Sequence, residues 1–161
     1  LQEYWADEHP DDLQAQLLLA RAYLRSDRIG DAIIQYENLL ELDNNNIIAL
    51  NDLARLLKDT RKKQALEYAE RARDLRPKSA SVLDTLAMVL LENDKIAEAD
   101  NTIGDAVQIA PDQTTLRFHQ AMIKAAAGKR QEAIAILDDL LRGEVNFPDK
   151  EAAMALRQDL K

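Results

Sequence analysis

The sequence contains no cysteine, and it has only four glycines, four prolines and an aromatic content of 4%. Without cysteine the chain can form neither disulfide bonds nor thiolate metal sites. Cysteine usage therefore does not indicate whether the protein works in an oxidising or a reducing compartment. Few Gly and Pro residues argue against a disordered or β-rich chain, because both depend on turn-forming residues. Few aromatic residues are typical of thin helix-to-helix interfaces that Ala and Leu fill.

Long apolar runs and a surplus of basic residues are also missing. No stretch approaches the roughly 20 apolar residues of a membrane-spanning helix, and no signal peptide is recognisable. The 161 residues include 21 Lys or Arg and 29 Asp or Glu, for a formal net charge of −8. Nucleic-acid binding needs the opposite surplus, because Lys and Arg must displace counterions from phosphates. The composition therefore predicts neither a nucleic-acid partner nor a membrane span.

Residues that carry catalytic chemistry are scarce. The two histidines, His9 and His119, fall in a predicted turn and a predicted helix. The sequence has no Gly-rich phosphate loop and no metal-ligand spacing, and its many carboxylates carry no information in an acidic helical chain. We therefore predict that the protein is not an enzyme, and that it has no catalytic, cofactor-binding or metal-binding residue.

What the sequence does contain is a helical hairpin that repeats about every 34 residues. A small residue recurs at one place in the first helix and one place in the second helix of each copy: Ala20, Ala54, Ala87 and Ala121, then Ala32, Ala65, Ala99 and Ala133. Successive alanines in each series are 34 residues apart, except for one step of 33 residues. The two shorter steps, Ala54 to Ala87 and Ala32 to Ala65, share only the part of the second copy between Ala54 and Ala65. This overlap predicts a one-residue deletion in the turn between the helices of that copy, within Lys58–Gln64.

This period and residue pattern resemble the tetratricopeptide repeat (TPR) family. The family motif has Leu and a small residue, an aromatic three residues later, then Ala, an aromatic, Ala and Pro. The third copy matches it with Leu86-Ala87, Leu90, Ala99, Ile103, Ala106 and Pro111, and the first with Leu19-Ala20, Tyr23, Ala32, Tyr36, Leu39 and Asn44. The resemblance implies an all-α fold, a right-handed α-α superhelix whose small residues lie where helices cross closely.

The resemblance covers nearly the whole chain and predicts one TPR solenoid over 1–161. Its successive parts are the end of a truncated repeat, four full repeats and a C-terminal capping helix, at 1–12, 13–46, 47–79, 80–113, 114–147 and 148–161. Asp12 is a predicted N-cap. Trp5, in a helix stump at Leu1–Glu8, is expected to pack against the first full repeat. The alternative is that this N-terminal face self-associates into a homo-oligomer.

The resemblance also implies that the first helices line a concave groove that holds a protein or peptide partner. The groove candidates that it gives are Arg21, Arg25, Asn51, Arg55, Lys58, Asp84, Met88, Phe118 and Met122. From the N-terminus this lining passes from arginine-rich, through mixed and acidic, to apolar. Arginine offers charge-assisted hydrogen bonds, and Met and Phe offer adaptable apolar contacts. The alternative for each residue is that it covers the next helix.

A basic band interrupts the acidic chain. Between Arg55 and Lys78, nine Lys or Arg residues accompany four Asp or Glu residues. Such asymmetry is typical of a docking surface for an anionic partner. A solvated helical face with ion pairs such as Glu67 to Arg71 is the alternative. A separate hypothesis is that an acidic polysaccharide binds directly to Arg21, Arg25, Arg55 and Lys58.

A closer resemblance rests on the order of the phrases LNDLARLL, ALEYAERARDLRPKSASVLDTLAMVLLEND and FPDKEAAMAL. They are similar to the C-terminal part of the PrsT-like TPR proteins of bacterial exopolysaccharide and PEP-CTERM (exosortase) systems. This resemblance implies a scaffold that takes part in polysaccharide export, in the periplasm or at the outer-membrane periphery. A cytoplasmic location is the alternative. The chain begins at Leu1 in mid-pattern, so we expect further repeats and an anchor upstream.

Overall fold

A computed structural model describes residues 12–142 and 147–161. Within these two ranges all regular structure is helical. The nine described helices are α1 (Leu13–Arg25), α2 (Ile29–Leu42), α3 (Ile47–Leu57), α4 (Lys62–Leu75), α5 (Ala80–Glu92), α6 (Ile96–Ile109), α7 (Thr114–Ala126), α8 (Arg130–Arg142) and α9 (Lys150–Asp159). The predicted stump at Leu1–Glu8, with its Trp5, lies outside the described residues.

Contacts between helices divide the chain into two compact units, the N-terminal unit (Leu1–Arg76) and the C-terminal unit (Pro77–Lys161). In the N-terminal unit, α1 packs on α2, α2 on α3, and α3 on α4. Its core is built from large side chains of α2 and α3 that are fully buried, among them Tyr36, Leu39 and Leu53. The second helix of one hairpin thus packs against the first helix of the next.

The C-terminal unit repeats this arrangement and adds the cap. Helix α6 packs between α5 and α7, and α8 packs between α7 and α9. Helix α9 buries Ala153 against a cluster that includes Phe118, Leu137 and Phe147. The cap is also tied by polar contacts, since Thr115 Oγ1 donates to Asp149 Oδ2 at 3.0 Å. The predicted capping helix therefore covers the apolar end of the fourth repeat.

The recurring alanines lie where the prediction places them. All eight, from Ala20 to Ala133, are 0% exposed. In each hairpin one of them belongs to the first helix and one to the second. Overpacking such a site costs about 1–3 kcal/mol, which explains why a small residue is required there.

The turns inside the hairpins explain how the short second repeat is accommodated. Asp27, Asp94 and Gly128 end the first helices of the other repeats with positive φ angles of 56°, 60° and 73°. The following N–H then bonds back to a carbonyl five residues earlier, as in Lys95 N to Leu90 O at 2.9 Å. This is the Schellman geometry that closes a helix in the left-handed region.

The second repeat has no such residue in its turn. Helix α3 has 11 residues, where α1, α5 and α7 have 13 each. Its last turn closes instead by bonds from Thr60 N and Arg61 N to Leu57 O, at 3.1 and 2.8 Å. The predicted deletion is therefore in the right copy, but it shortens the helix and not the turn. The turn lacks the left-handed residue, because the helix ends earlier.

Side-chain caps fix where several first helices begin. Asp12 Oδ1 accepts bonds from Gln14 N at 3.0 Å and Ala15 N at 3.1 Å, as predicted for an N-cap. Asn46 caps α3 in the same way, through a bond from Ala49 N at 3.1 Å. Because these caps set the register of α1 and α3, they also determine which side chains those helices present to solvent.

Candidate functional site

The exposed face of α1 carries four side chains at helical spacing, and α3 carries a similar set. We call these residues together the arginine surface of the N-terminal unit: Gln14, Leu18, Arg21 and Arg25 on α1, Ile48, Asn51, Asp52 and Arg55 on α3, and Lys58 directly after α3. Leu18 is 49% exposed and Ile48 is 39% exposed. The surface therefore combines apolar and cationic groups.

The cations of this surface differ in how far they are neutralised. Arg21 and Arg25 are exposed and form no ion pair with any residue that the structure describes. Arg55 reaches Asp52 only at 3.4 Å, between partly exposed side chains. Lys58 pairs with its neighbour Asp59 at 3.0 Å. Three guanidinium groups are therefore available for a partner, and the ammonium group of Lys58 is already engaged.

A buried tyrosine lies beneath the arginines. Tyr36, on α2, is 0% exposed, and its pKa is raised, first by burial and then by the neighbouring Asp52 side chain. The charges of Arg21 and Arg55 act on the pKa of the same hydroxyl in the opposite sense and lower it. The hydroxyl nevertheless makes no hydrogen bond of ordinary geometry with a described residue.

Asn51, on α3, is the residue of the arginine surface that has an unpaired buried atom. The residue is half-buried, and its Oδ1 is a buried acceptor without a hydrogen bond in the part of the chain that the structure describes. Since buried polar atoms are normally paired, this unpaired oxygen is a feature that needs an explanation. The family resemblance named Asn51, Arg21, Arg25 and Arg55 as groove candidates. In the structure the three arginines are exposed and Asn51 is half-buried.

The corresponding candidates of the C-terminal unit have different surroundings. Asp84 Oδ1 lies 2.7 Å from Nδ1 of His119, which joins α5 to α7. Both side chains are about four-fifths buried, and Met88 is half-buried beside Asp84 in the register of α5. Asp84 is therefore occupied by a contact within the unit, which the sequence did not predict.

Phe118 and Met122 are held by the core. Phe118 is only 6% exposed and lies in the cluster with Phe147 and Ala153, and Met122 packs against that cluster from its edge. Phe118 is therefore not a surface group, contrary to its predicted place in the groove, because the cap covers it. Part of the Met122 side chain remains at the surface.

A polar network in the C-terminal unit was not predicted at all. Asp100 on α6 pairs with Lys124 on α7 at 2.9 Å and with Lys129 at 2.6 Å, and Lys124 also pairs with Glu132 at 3.1 Å. Asp100 and Lys129 also line an open cavity of about 450 Å³. A signal was present in the sequence, since Lys124 stands where the other repeats have Tyr or Leu. At this position of the fourth repeat, a lysine that forms an ion pair replaces the apolar or aromatic residue of the other repeats.

The basic band of α4 is mostly engaged inside the N-terminal unit. Arg61 pairs with Glu37 at 3.1 Å, and Arg73 pairs with Asp74 at 2.8 Å. Arg71 donates to the carbonyl of Asn44, so the predicted pair with Glu67 is replaced by a contact between hairpins. Lys63 of α4 and Arg76 directly after α4 are exposed and form no ion pair in the part of the chain that the structure describes, so positive charge remains on this band as well.

Metal binding requires a cluster of ligating side chains, and membrane insertion requires a long apolar helix. The described residues hold no group of three or more His, Cys, Asp or Glu side chains that could bind a metal ion. None of the helices in residues 12–142 and 147–161 is long and apolar enough to cross a bilayer. What the arginine surface offers chemically is recognition by charge and apolar contact.

Comparison with known proteins agrees with this architecture. Residues 13–46 match the family model of the tetratricopeptide repeat. No curated protein matches the chain. Among solved structures, the chain is similar to MamA (residues 41 to end) from Desulfovibrio magneticus RS-1, with 16% identity, a TM-score of 0.77, and coverage of 88% of this chain and 80% of that one.

Two further solved structures are similar over nearly the whole chain. TTC0263, a thermophilic TPR protein of Thermus thermophilus, has 19% identity and a TM-score of 0.76, covering 99% of this chain and 86% of its own. YrrB, described as a TPR protein with an unusual peptide-binding site, has 19% identity and a TM-score of 0.73, with coverage of 99% and 81%. These likenesses and the described helices confirm the predicted fold class, an all-α TPR solenoid.

Proposed function

We propose that this TPR solenoid is a non-catalytic protein-interaction scaffold that holds a partner peptide on the exposed faces of its first helices. The observation that carries the proposal is the arginine surface, where Leu18 and Ile48 stay exposed beside Arg21 and Arg25, which have no ion pair in the described structure. Exposed apolar side chains can bury apolar surface of a peptide, and unpaired arginines can form charge-assisted hydrogen bonds with it. The peptide-binding site named for YrrB supports the same class of function.

The proposal extends to a cellular role. We place the scaffold in the bacterial periplasm or at the outer-membrane periphery, in exopolysaccharide export or PEP-CTERM protein sorting. The support is the sequence resemblance of three phrases, among them FPDKEAAMAL around the cap, to PrsT-like proteins. Helical repeats suit this role, because a stack of hairpins offers an extended recognition surface without a reactive centre.

Site-specific cross-linking in cells tests the proposal. A photoreactive amino acid replaces Gln14 on the arginine surface, and in a matched control it replaces Asn38, an exposed residue of α2. We expect Gln14 to give one defined polypeptide adduct that mass spectrometry identifies as a component of polysaccharide export or sorting. Equal adducts from both positions, or none from Gln14, would exclude peptide binding on this surface.

A second candidate function is direct binding of an acidic polysaccharide, which the same unneutralised arginines favour. The two functions differ in their dependence on salt. Contacts between exposed charges are screened within about 8 Å at physiological ionic strength, so polysaccharide binding should weaken steeply with added salt. A peptide that also buries apolar groups on Leu18 and Ile48 should keep part of its affinity.

A further inference from the structure

We infer that the C-terminal unit binds a soft metal ion, copper(I), through the imidazole of His119 and the thioethers of Met88 and Met122, with Asp84 as the residue that positions the imidazole. This metal site is independent of the proposed function, because the arginine surface belongs to the N-terminal unit. The site follows from the contact of Asp84 with His119 and from the places of the two methionines on α5 and α7.

The contact between Asp84 and His119 determines which ring nitrogen can bind a metal. Asp84 Oδ1 lies 2.7 Å from His119 Nδ1. A carboxylate accepts hydrogen bonds and does not donate them, so the neutral imidazole carries its proton on Nδ1 and leaves a lone pair on Nε2. A carboxylate on the far ring nitrogen is the usual support of a metal-binding histidine, because it orients the ring and raises the basicity of the ligand.

The positions of the methionines along their helices bring both to the level of this contact. Helices α5 and α7 touch each other, and α6 runs back between them, so both first helices point in the same direction. Asp84 is the fifth residue of α5 and His119 is the sixth of α7, and Met88 and Met122 are each the ninth residue of their helix. Methionine side chains in helices lean toward the N-terminus, so both sulfur atoms are directed back over the turns that hold Asp84 and His119.

The surroundings of the methionines suit a soft ion. Met88 and Met122 are half-buried, so a metal bound between them is partly withdrawn from water and can still be reached from the surface. Met122 packs against the cluster that contains Phe118, and the Phe118 ring centroid lies 6.1 Å from that of His119. Met122 therefore borders the same aromatic ring as the imidazole.

The ligand types select the metal. Thioether ligands favour copper(I), whereas magnesium, calcium and manganese prefer carboxylate, carbonyl and water oxygens. The described residues hold no group of three or more His, Cys, Asp or Glu side chains, so a harder ion lacks the ligands that it needs in this part of the chain. An imidazole and two thioethers are a soft set, which matches copper(I).

Silver(I) is the first probe, because it shares the charge and the ligand preference of copper(I) and keeps its oxidation state in air. The chain has three methionines, and the third of them, Met154 on α9, is 56% exposed and serves as an internal control. Methyl-labelled methionine gives one NMR signal for each. We expect one equivalent of silver(I) to shift the signals of Met88 and Met122 and to leave that of Met154 unchanged.

Competition with a coloured copper(I) chelator, without oxygen, then measures the ligands one by one. His119→Gln, Met88→Leu and Met122→Leu should each weaken copper(I) binding by about tenfold or more. The matched controls are Met154→Leu and His9→Gln, which should stay within about twofold of the wild type. Leucine is close to methionine in volume, so we expect the variants to remain folded, and circular dichroism melting checks this.

Asp84→Asn tests the positioning role. The amide can donate as well as accept, so it no longer fixes the proton on Nδ1 of His119. Copper(I) binding should weaken by about tenfold, in the range found for residues that orient metal ligands. Nitrogen NMR of the ring should show the proton partly moved to Nε2, a change that a purely structural role of Asp84 would not produce.

Three results would overturn the site. Equal shifts of all three methionine signals would mean that the thioethers take up silver(I) separately, without a shared site. Failure of either the Met88 or the Met122 signal to shift at one equivalent would exclude the three-ligand arrangement. Copper(I) affinity that persists in His119→Gln would remove the imidazole from the ligands. The silver(I) titration uses the unsubstituted chain, so it decides even where a variant fails to fold.

Discussion

Lys124 Nζ lies 2.9 Å from Asp100 Oδ1, and this ion pair joins the second helix of the third repeat to the first helix of the fourth. Asp100 is 11% exposed and Lys124 is 16% exposed. Burial by itself would raise the pKa of Asp100, but hydrogen bonds from Lys129 and Lys124 outweigh it and hold the pKa below its ordinary value. Burial would lower the pKa of Lys124, and its bonds to Asp100 and Glu132 raise it instead.

This pair predicts a dependence of stability on pH. The lowered pKa of Asp100 stabilises the fold above the ordinary Asp value of 3.8, and this contribution is lost as the pH falls through the folded pKa. The raised pKa of Lys124 stabilises the fold below the ordinary Lys value of 10.5, and this contribution is lost as the pH rises through the folded pKa. The pair therefore contributes most near neutral pH.

We expect Asp100→Asn to lower the free energy of unfolding by about 1–2 kcal/mol at neutral pH, and by less in acid and in strong base. Asp105→Asn, at an exposed position of the same helix, is the matched control and should change little. Urea unfolding across the pH range measures both variants. A loss from Asp100→Asn that stays constant with pH would show that packing, and not charge, is what the carboxylate contributes.

The buried alanines predict a sharp contrast within one helix. Ala99 is 0% exposed on α6, and Ala97 lies two residues earlier at an exposed position. Ala99→Val should lower the free energy of unfolding by about 1–3 kcal/mol, because the added methyl groups overpack the hairpin. Ala97→Val should lose only about 0.5 kcal/mol, the cost of a β-branched residue in a helix. Urea unfolding measures both variants. Equal decreases in the free energy of unfolding would mean that the side chain of Ala99 can be enlarged without overpacking.

The left-handed turn residues predict a stabilising substitution. Asp94 closes α5 at a φ of 60°, in the region that glycine occupies without steric cost. Asp94→Gly should therefore raise the free energy of unfolding by about 0.5–1 kcal/mol, measured by thermal and urea unfolding. Thr60→Gly provides the comparison, since the turn of the second repeat has no left-handed residue. It should bring no gain, and a gain from both would point to a general effect of added flexibility.

The fold was predictable from the sequence because its cause is periodic. The alanine positions, the hairpin bounds and the N-cap at Asp12 each follow from local chemistry that recurs every repeat. The way in which the second repeat absorbs its deletion was not predictable. A residue count locates the missing residue, but the choice between a shorter α3 and a shorter turn depends on how the last helical carbonyls find partners.

The candidate site was predictable only in part, for a physical reason. The family resemblance assigned Arg21, Arg25 and Arg55 to the lining of a concave groove, and the structure shows that all three are exposed, on α1 and α3. The same assignment failed for Phe118, since it treats each repeat as if another repeat followed. The fourth repeat is followed by the cap, whose Phe147 and Ala153 bury that aromatic ring. Contacts with a non-repeating element leave no periodic signal.

Met122 provides the test of that reasoning. Its side chain packs against the cluster of Phe118 and Phe147, so Met122→Glu should bring a carboxylate to the edge of the core and lower the free energy of unfolding by about 1–3 kcal/mol. Met154→Glu is the matched control, because Met154 on α9 is 56% exposed and should tolerate the change. Thermal unfolding followed by circular dichroism compares the two variants. If Met122→Glu melts at the same temperature as the wild type, Met122 does not contribute to the core. Its predicted role in binding a partner then remains a valid hypothesis.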